Sequence, residues 1–134
     1  MRLLPSDHDS RGLAALLGFR TQVIDLGIVK VEAKVDFARH ANPLGWMHGG
    51  AIASLADHSM GIAFITLLGE AEVMTTIEMK FNLLGAPADG DTLSAAARVV
   101  KFGRTIGYAE VEVTSGSGKL LARGTSTALR IAAP

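Results

Sequence analysis

The residues best suited to chemistry are concentrated in one segment, His40 to Gly61. The segment contains three of the four histidines, a glycine pair and one aspartate within a largely apolar stretch. Such residues can supply donors that hold an oxyanion and a carboxylate that acts as a base. The residues concerned are His40, Asn42, His48, Gly49, Gly50, Asp57 and His58.

The glycine pair, Gly49 and Gly50, stands where a loop gives way to a long apolar stretch. The first turn of a helix has unpaired backbone N–H groups and carries the positive end of the helix dipole. Glycine there lets a ligand approach the backbone closely, which favours a site for an oxyanion. A glycine pair also relaxes a crowded corner between loop and helix, and the pair alone does not decide between these interpretations.

Asp57 lies in the middle of the apolar stretch. A buried carboxylate is costly unless it is partnered or its pKa is raised, and a raised pKa suits a general base near neutrality. The alternative is a structural aspartate that accepts a hydrogen bond from a hydroxyl or a backbone group.

The spacing of His48 and Asp57 argues against a pair within one chain. Nine residues place them on opposite faces of a helix and roughly 13 Å apart along its axis. If both serve one site, Asp57 must come from a neighbouring subunit whose helix lies antiparallel to the first. The spacing therefore predicts a site shared between subunits.

Asn42 precedes Pro43 in the loop before the helix. Its amide can donate to a carbonyl oxygen or cap the loop, as asparagine often does. The sequence predicts no metal site in the segment, because no pair of its acidic or histidine side chains has the spacing that presents two ligands on one face. His58 is interpreted as a polar contact at a helix or subunit interface.

Hydropathy patterning predicts an α+β protein in which one long helix lies on an antiparallel sheet. The helix is apolar on nearly all sides, so a sheet that curls around it, or a second subunit, must cover what one flat sheet leaves exposed. The predicted elements are helices at 13–17 and 49–68, the latter ended by Gly69, and six strands around 19–26, 29–37, 76–81, 92–102, 109–113 and 120–131, with a loop at 39–47.

Composition narrows the functional class further. The 134 residues suit a single domain spanning 1–134, and 49% of them are hydrophobic. This apolar content is enough for a core that needs no disulfide or metal ion to stabilise it. The absence of cysteine excludes a thiolate metal site and a cysteine nucleophile. The 13 basic and 13 acidic residues argue against duplex nucleic acid as a partner. The first ten residues lack the apolar core of a secretory signal, and the apolar run at 61–69 is too short to span a bilayer. These observations predict a cytoplasmic protein.

The segment as a whole resembles the signature of the phenylacetate-degradation (PaaI-type) thioesterases of the hotdog superfamily. The pattern HxNxxGxxHGGxxxxLxD is matched with intact spacing at His40, Asn42, Gly45, His48, Gly49, Gly50, Leu55 and Asp57. The resemblance implies a hotdog fold, in which a curved antiparallel sheet wraps a long helix. It also implies a homodimer or dimer of dimers that hydrolyses an acyl-CoA thioester, with no cofactor beyond the CoA of the substrate.

The resemblance also assigns roles to individual residues. The Gly49 backbone N–H and the Asn42 side chain would polarise the thioester carbonyl, and His48 would order the loop beside it. Asp57 of the partner subunit would act as general base on water or as nucleophile, and both mechanisms remain open.

Two further sites follow from the same resemblance. A hydroxyl early in the strand after the helix would assist the carboxylate; both Thr75 and Thr76 qualify, and Thr75 is preferred. Lys101 and Arg104, in the stretch 99–104, would bind the CoA phosphates, although they are equally interpretable as solvated surface cations.

Trp46 would line the acyl pocket or anchor the loop, and packing in the core or an interface is the preferred interpretation. Two other functions remain as alternatives, a hotdog protein that binds acyl-CoA without hydrolysing it and a hotdog dehydratase or hydratase. The presence of Asp57 disfavours the first, and the His-Gly-Gly arrangement disfavours the second. The acyl group cannot be deduced from the sequence.

Overall fold

The computed structural model describes Leu4 and residues 8–134. Most of the first seven residues, on which the interpretation of the N-terminus partly rests, therefore lie outside the described part. The described chain forms three helices and six strands. They are α1 (Gly12–Leu17), β1 (Arg20–Asp25), β2 (Ile28–Lys34), α2 (Phe37–His40), α3 (Gly49–Ile65), β3 (Glu72–Leu83), β4 (Thr92–Phe102), β5 (Ile106–Thr114) and β6 (Leu120–Ala132).

The six strands form one antiparallel sheet in the order β1-β2-β4-β5-β6-β3. Alternation in β2, β4 and β5 turns one face of each strand toward α3 and the other toward solvent. The sheet curves around α3, which confirms the predicted α+β hotdog architecture. The buried side chains of these strands are Val29, Val31, Ala33, Leu93, Ala95, Ala97, Ala109, Val111 and Val113.

Small residues on the inner face of the sheet let α3 lie close to it. A Cβ atom built on Gly107 would stand 2.8 Å from Cε1 of Phe64, which is itself fully buried on α3. A side chain at this position would thus push the helix away from β5. The buried residues of α3 are Ile52, Leu55, Ala56, Ser59, Met60, Ile62, Ala63 and Phe64.

The opposite side of α3 is only partly covered. Ala53, Ser54, Asp57, Gly61 and Ile65 are half-buried and lie outside the main contact with the sheet. The curved sheet therefore covers much of the apolar helix, as predicted, and leaves a stripe that includes Asp57 open to a further partner.

Several predicted boundaries were wrong. Strands β3 and β5 extend beyond the predicted 76–81 and 109–113, and the predicted loop at 39–47 begins inside α2. Helix α3 ends at Ile65 rather than at residue 68, because the Thr66 hydroxyl donates to Ala63 O at 2.7 Å and accepts from Gly27 N–H at 2.7 Å. Gly69 is not in the left-handed conformation expected of a helix-terminating glycine. The second strand stops at Lys34, since Asp36 caps the short helix α2 by accepting from Ala38 N–H at 3.0 Å.

No helix within the described residues is both long enough and apolar enough to cross a membrane.

Candidate active site

The N-terminus of α3 is capped by the residue that precedes it. His48 Nδ1 accepts a hydrogen bond from Gly50 N–H at 2.8 Å, as serine or asparagine does at other helix starts. This acceptor role fixes the neutral imidazole with its proton on Nε2. A Cβ atom on Gly50 would lie 2.9 Å from His48 Nδ1, so the second glycine makes room for the cap.

The cap leaves one amide of the first turn unused. Gly49 N–H has no acceptor among the residues that the structure describes, whereas the Ala51 and Ile52 N–H groups both bond to His48 O. The Gly49 amide is therefore the donor that this helix end offers to a ligand, supported by the helix dipole. The two glycines have different tasks: Gly50 admits the histidine cap, and Gly49 presents the N–H.

Removal of the cap should weaken the helix start. We expect His48→Ala to lower the free energy of unfolding by about 1 kcal/mol, the usual cost of losing an N-cap acceptor. His48→Asn, which restores an acceptor at the same position, should keep most of the stability. Urea unfolding followed by circular dichroism measures both, and an alanine variant as stable as the wild type would contradict the capping role.

Asn42 organises the loop that leads into α3. Its Oδ1 accepts from the Leu44 N–H at 2.9 Å and the Trp46 N–H at 3.2 Å, while its backbone N–H donates to Trp46 O at 2.6 Å. Two backbone donors on the same atom identify that atom as the oxygen. The Asn42 NH₂ group is then left without a partner in the described chain, so loop capping and donation to a ligand are both available to this residue.

His40 anchors the same loop and is not free to react. The ring is buried, Nδ1 accepts from Asp36 N–H at 3.1 Å, and Nε2 donates to Leu17 O at 3.0 Å. Its backbone carbonyl accepts from His48 N–H at 2.7 Å. His40 therefore ties the loop to α1 and to the start of α3.

Asp57 sits half-buried on the open stripe of α3. Burial raises the pKa of its carboxyl above the usual value, and the neighbouring His58 offsets part of this shift. An aspartate with a raised pKa, held at a partly desolvated surface, has the properties of a general base.

His48 and Asp57 belong to one continuous helical segment, since α3 begins at Gly49 and runs unbroken past residue 57. At the rise of an α-helix this separates them by about 13 Å within a chain. Among the described residues, no three acidic, histidine or cysteine side chains are grouped so that they could hold a metal ion.

The register of β3 distinguishes the two threonines. Thr76 pairs with Ala128, which is buried beneath α3, whereas Thr75 pairs with Leu129 on the opposite face of the sheet. Residues directly opposite each other in an antiparallel pair point to the same side. The hydroxyl on the helix-facing side is therefore that of Thr76, and the assisting role of Thr75 stays a prediction. A bulge at Ile77, between Thr76 and Glu78, shifts the alternation at this point.

Lys101 and Arg104 lie at the turn between β4 and β5, and both are exposed. Neither forms an ion pair with any residue in the described part of the chain. A third cation at this turn escaped the sequence analysis. Arg130 bonds to Glu72 Oε1 at 2.8 Å and Gly103 O at 3.2 Å and lies 4.5 Å from the Phe102 ring centroid, so its task is to hold the turn.

Trp46 is not part of the core. Its side chain is 62% exposed, and that of the neighbouring Leu44 is 74% exposed, on a loop otherwise held by several hydrogen bonds. The interpretation as core packing is wrong, because the short turn around Gly45, with φ of 85°, directs both side chains outward. Packing in an interface and lining of a pocket both remain open.

Proteins similar in sequence and in structure identify the family to which this fold belongs. The family model of the thioesterase superfamily matches residues 44–122. Human acyl-coenzyme A thioesterase 13 is 32% identical over 103 residues, which cover 75% of this chain and 71% of that protein.

Solved structures give the same assignment. The Escherichia coli PaaI protein from the phenylacetic acid degradation operon matches with a TM-score of 0.80 and 27% identity, covering 88% of this chain and 83% of that one. A hypothetical thioesterase of Streptococcus pneumoniae, solved with coenzyme A, matches with a TM-score of 0.81 and 25% identity, covering 91% and 92%. The chain belongs to the thioesterase superfamily and is a thioester hydrolase. The resemblance to PaaI-type thioesterases is confirmed.

Proposed function

We propose that the protein hydrolyses an acyl-CoA thioester to the free acid and CoA, in a site formed by two copies of the chain. The observation that carries this proposal is the pair of unpaired donors, Gly49 N–H and the Asn42 NH₂ group, beside the N-terminus of α3. Both belong to a loop and helix start that are held by other hydrogen bonds, so the donors are in place before substrate binds.

In the proposed reaction the two donors hold the thioester carbonyl oxygen. Asp57 of the second subunit removes a proton from water, whose oxygen attacks the carbonyl carbon and gives a tetrahedral oxyanion. The C–S bond then breaks, and the proton held by Asp57 passes to the departing CoA sulfur. Direct attack by Asp57, followed by hydrolysis of the resulting anhydride, gives the same products, and we retain both routes.

A second copy is the natural source of the carboxylate for two reasons. One chain keeps its Asp57 about 12 Å from the start of its own helix. In addition, β3 is an edge strand with exposed apolar side chains at Ile77, Met79 and Leu83, a surface that an antiparallel copy of the same strand would cover. Thr76 on the inner face of β3 is the hydroxyl that we assign to the assistance of the carboxylate.

Lys101 and Arg104 are proposed to bind the CoA phosphates. Both are exposed cations without ion pairs to the described residues, and they flank one turn. A lysine point charge and a forked guanidinium are complementary partners for phosphate oxygens.

The donor role of Asn42 can be separated from its structural role. Asn42→Asp keeps an oxygen acceptor for the Leu44 and Trp46 N–H groups but removes the NH₂ donor. We expect kcat to fall by about 10²-fold or more, the usual cost of removing one oxyanion donor, while the thermal stability stays close to that of the wild type. Steady-state kinetics and thermal unfolding measure the two effects, and an aspartate variant with normal kcat would remove Asn42 from the donor pair.

The proposed activity is tested directly with a panel of acyl-CoA esters and a dye that traps the released thiol. Short, long and aromatic acyl groups belong in the panel, because the geometry of the site does not select among them. We expect turnover of at least one ester by the purified wild type, with stoichiometric release of acid and CoA. Absence of turnover across the panel by folded protein would overturn the proposal.

A further inference from the structure

A polar cluster joins the segment before α1, the strand β1 and the helix α3 on the side of His58. Asp9 Oδ2 accepts from Thr21 N–H at 2.6 Å, and Asp9 Oδ1 accepts from Thr21 Oγ1 at 2.7 Å. His58 Nε2 lies 3.4 Å from Thr21 Oγ1 and 3.8 Å from Asp9 Oδ1. We refer to Asp9, Thr21 and His58 as the polar clamp.

The hydrogen bonds of the polar clamp have a defined direction. Carboxylate oxygens accept, so the two hydrogen bonds between Asp9 and Thr21 use the N–H and the O–H of Thr21 as donors. His8 Nε2 also lies 3.5 Å from Asp9 Oδ1. Because the Thr21 hydroxyl donates its hydrogen to Asp9, Oγ1 can only accept a second hydrogen bond, and His58 Nε2–H is the donor. A chain of donors therefore runs from α3 through β1 to the N-terminal segment, and the Phe19 ring, 5.3 Å from that of His58, supports the imidazole from another side.

The polar clamp acts on the helical turn that carries Asp57. Adjacent residues of a helix point about 100° apart, so anchoring the His58 side chain fixes the rotation of this turn and with it the direction of Asp57. Asp57 itself forms no hydrogen bond with the described residues, and its side chain is only half-buried.

We propose that the polar clamp makes His58 a positioning residue for Asp57. The inference rests on the proposed function, in which Asp57 is the base or nucleophile, and goes beyond it. Through Asp9, the segment before α1 becomes part of the support of the site. Loss of any member of the clamp lowers turnover through Asp57 rather than through substrate binding.

Two substitutions at Thr21 test the positioning. Thr21→Val keeps the shape of the side chain and removes the hydroxyl, whereas Thr21→Ser keeps the hydroxyl. We expect the valine variant to lose about tenfold in kcat with KM unchanged, since small misplacements of a catalytic group are costly. The serine variant should recover most of that loss, which a role in packing alone would not produce.

The charge of His58 gives an independent readout. Burial lowers the pKa of His58, Asp9 and Asp57 raise it, and His8 lowers it; Phe19 and Thr21 contribute no charge. When His58 gains a proton at acidic pH, its positive charge favours the neighbouring Asp57 carboxylate. We therefore expect His58→Gln to move the acid midpoint of the kcat/KM profile to higher pH, while Thr21→Val, which changes no charge, leaves the midpoint in place.

The outcomes separate this inference from the function on which it rests. Normal kcat in folded Thr21→Val, or equal losses in the valine and serine variants, would overturn the positioning role. If Thr21→Val does not fold, His58→Phe decides, because it keeps a ring beside Phe19 and removes the donor to Thr21; a normal kcat in that variant would overturn the positioning role. A wild type without acyl-CoA turnover, or a fully active Asp57→Asn variant, would overturn the proposed function instead.

Discussion

Asp57→Asn is expected to remove most of the turnover and at the same time to stabilise the folded protein at neutral pH. A general base contributes about 10²- to 10⁴-fold to a rate, and asparagine cannot take a proton from water. The stability change has the opposite sign because burial raises the pKa of Asp57. At neutral pH the folded protein must hold Asp57 as a charged carboxylate, although the partly buried position favours the neutral acid.

The pH dependence of this gain follows from the direction of the shift. A carboxyl whose folded pKa is raised favours the folded state while it is protonated, and this contribution is lost as pH rises through the raised pKa. The asparagine variant should therefore be more stable than the wild type at pH 7, because it carries no charge at this partly buried position. The difference should shrink toward zero as pH falls to the usual carboxyl value of 3.8.

Thermal unfolding of both proteins at several pH values measures the effect. Asp25→Asn is a matched control, because Asp25 is exposed and its Oδ1 acceptor for Leu26 N–H survives in asparagine. The control should leave turnover unchanged. An Asp57→Asn variant that is active, or that is less stable at pH 7 than at acidic pH relative to the wild type, would contradict the assignment.

The Gly49 amide is expected to produce the second large effect. Proline at this position removes the N–H while its fixed φ remains suited to the first turn of a helix. A new Cβ atom would lie 2.6 Å from Leu83 Cδ1, so the substitution needs space. The comparison is therefore made in a Leu83→Ala background, where Gly49→Ala adds the Cβ and keeps the N–H, and Gly49→Pro adds similar bulk and loses it.

We expect the proline variant to have a kcat about 10²- to 10³-fold below that of its alanine counterpart, with similar stability and helix content. The alanine variant should stay close to the Leu83→Ala background. Steady-state kinetics on one acyl-CoA ester measure the difference. Equal activity of the alanine and proline variants would show that the amide N–H takes no part in the reaction.

Much of this site could be predicted because it depends on residues that are close together in the sequence. The glycine pair marks a helix start by its position before an apolar stretch, and the structure begins α3 at Gly49. The half-buried environment of Asp57 follows from its apolar neighbours. These features depend on local spacing, which the sequence displays directly.

Other features depend on contacts between distant residues and could not be predicted. The end of α3 is decided by the bond between Thr66 and Gly27, which are 39 residues apart. The choice between Thr75 and Thr76 depends on the strand register and on the bulge at Ile77, which adjacent threonines do not reveal. The polar clamp joins residues separated by 37 positions, and nothing near His58 in the sequence indicates it.

A complementation experiment addresses the claim that one catalytic site draws on two chains. Asp57→Asn and Gly49→Pro are each placed in the Leu83→Ala background, mixed in equal amounts under conditions that exchange subunits, and the mixed oligomers are verified with two affinity tags. Each mixed dimer should regain one intact site of two, so random pairing predicts about a quarter of the activity of the Leu83→Ala parent. A verified mixture that remains as inactive as its two components would contradict the shared site.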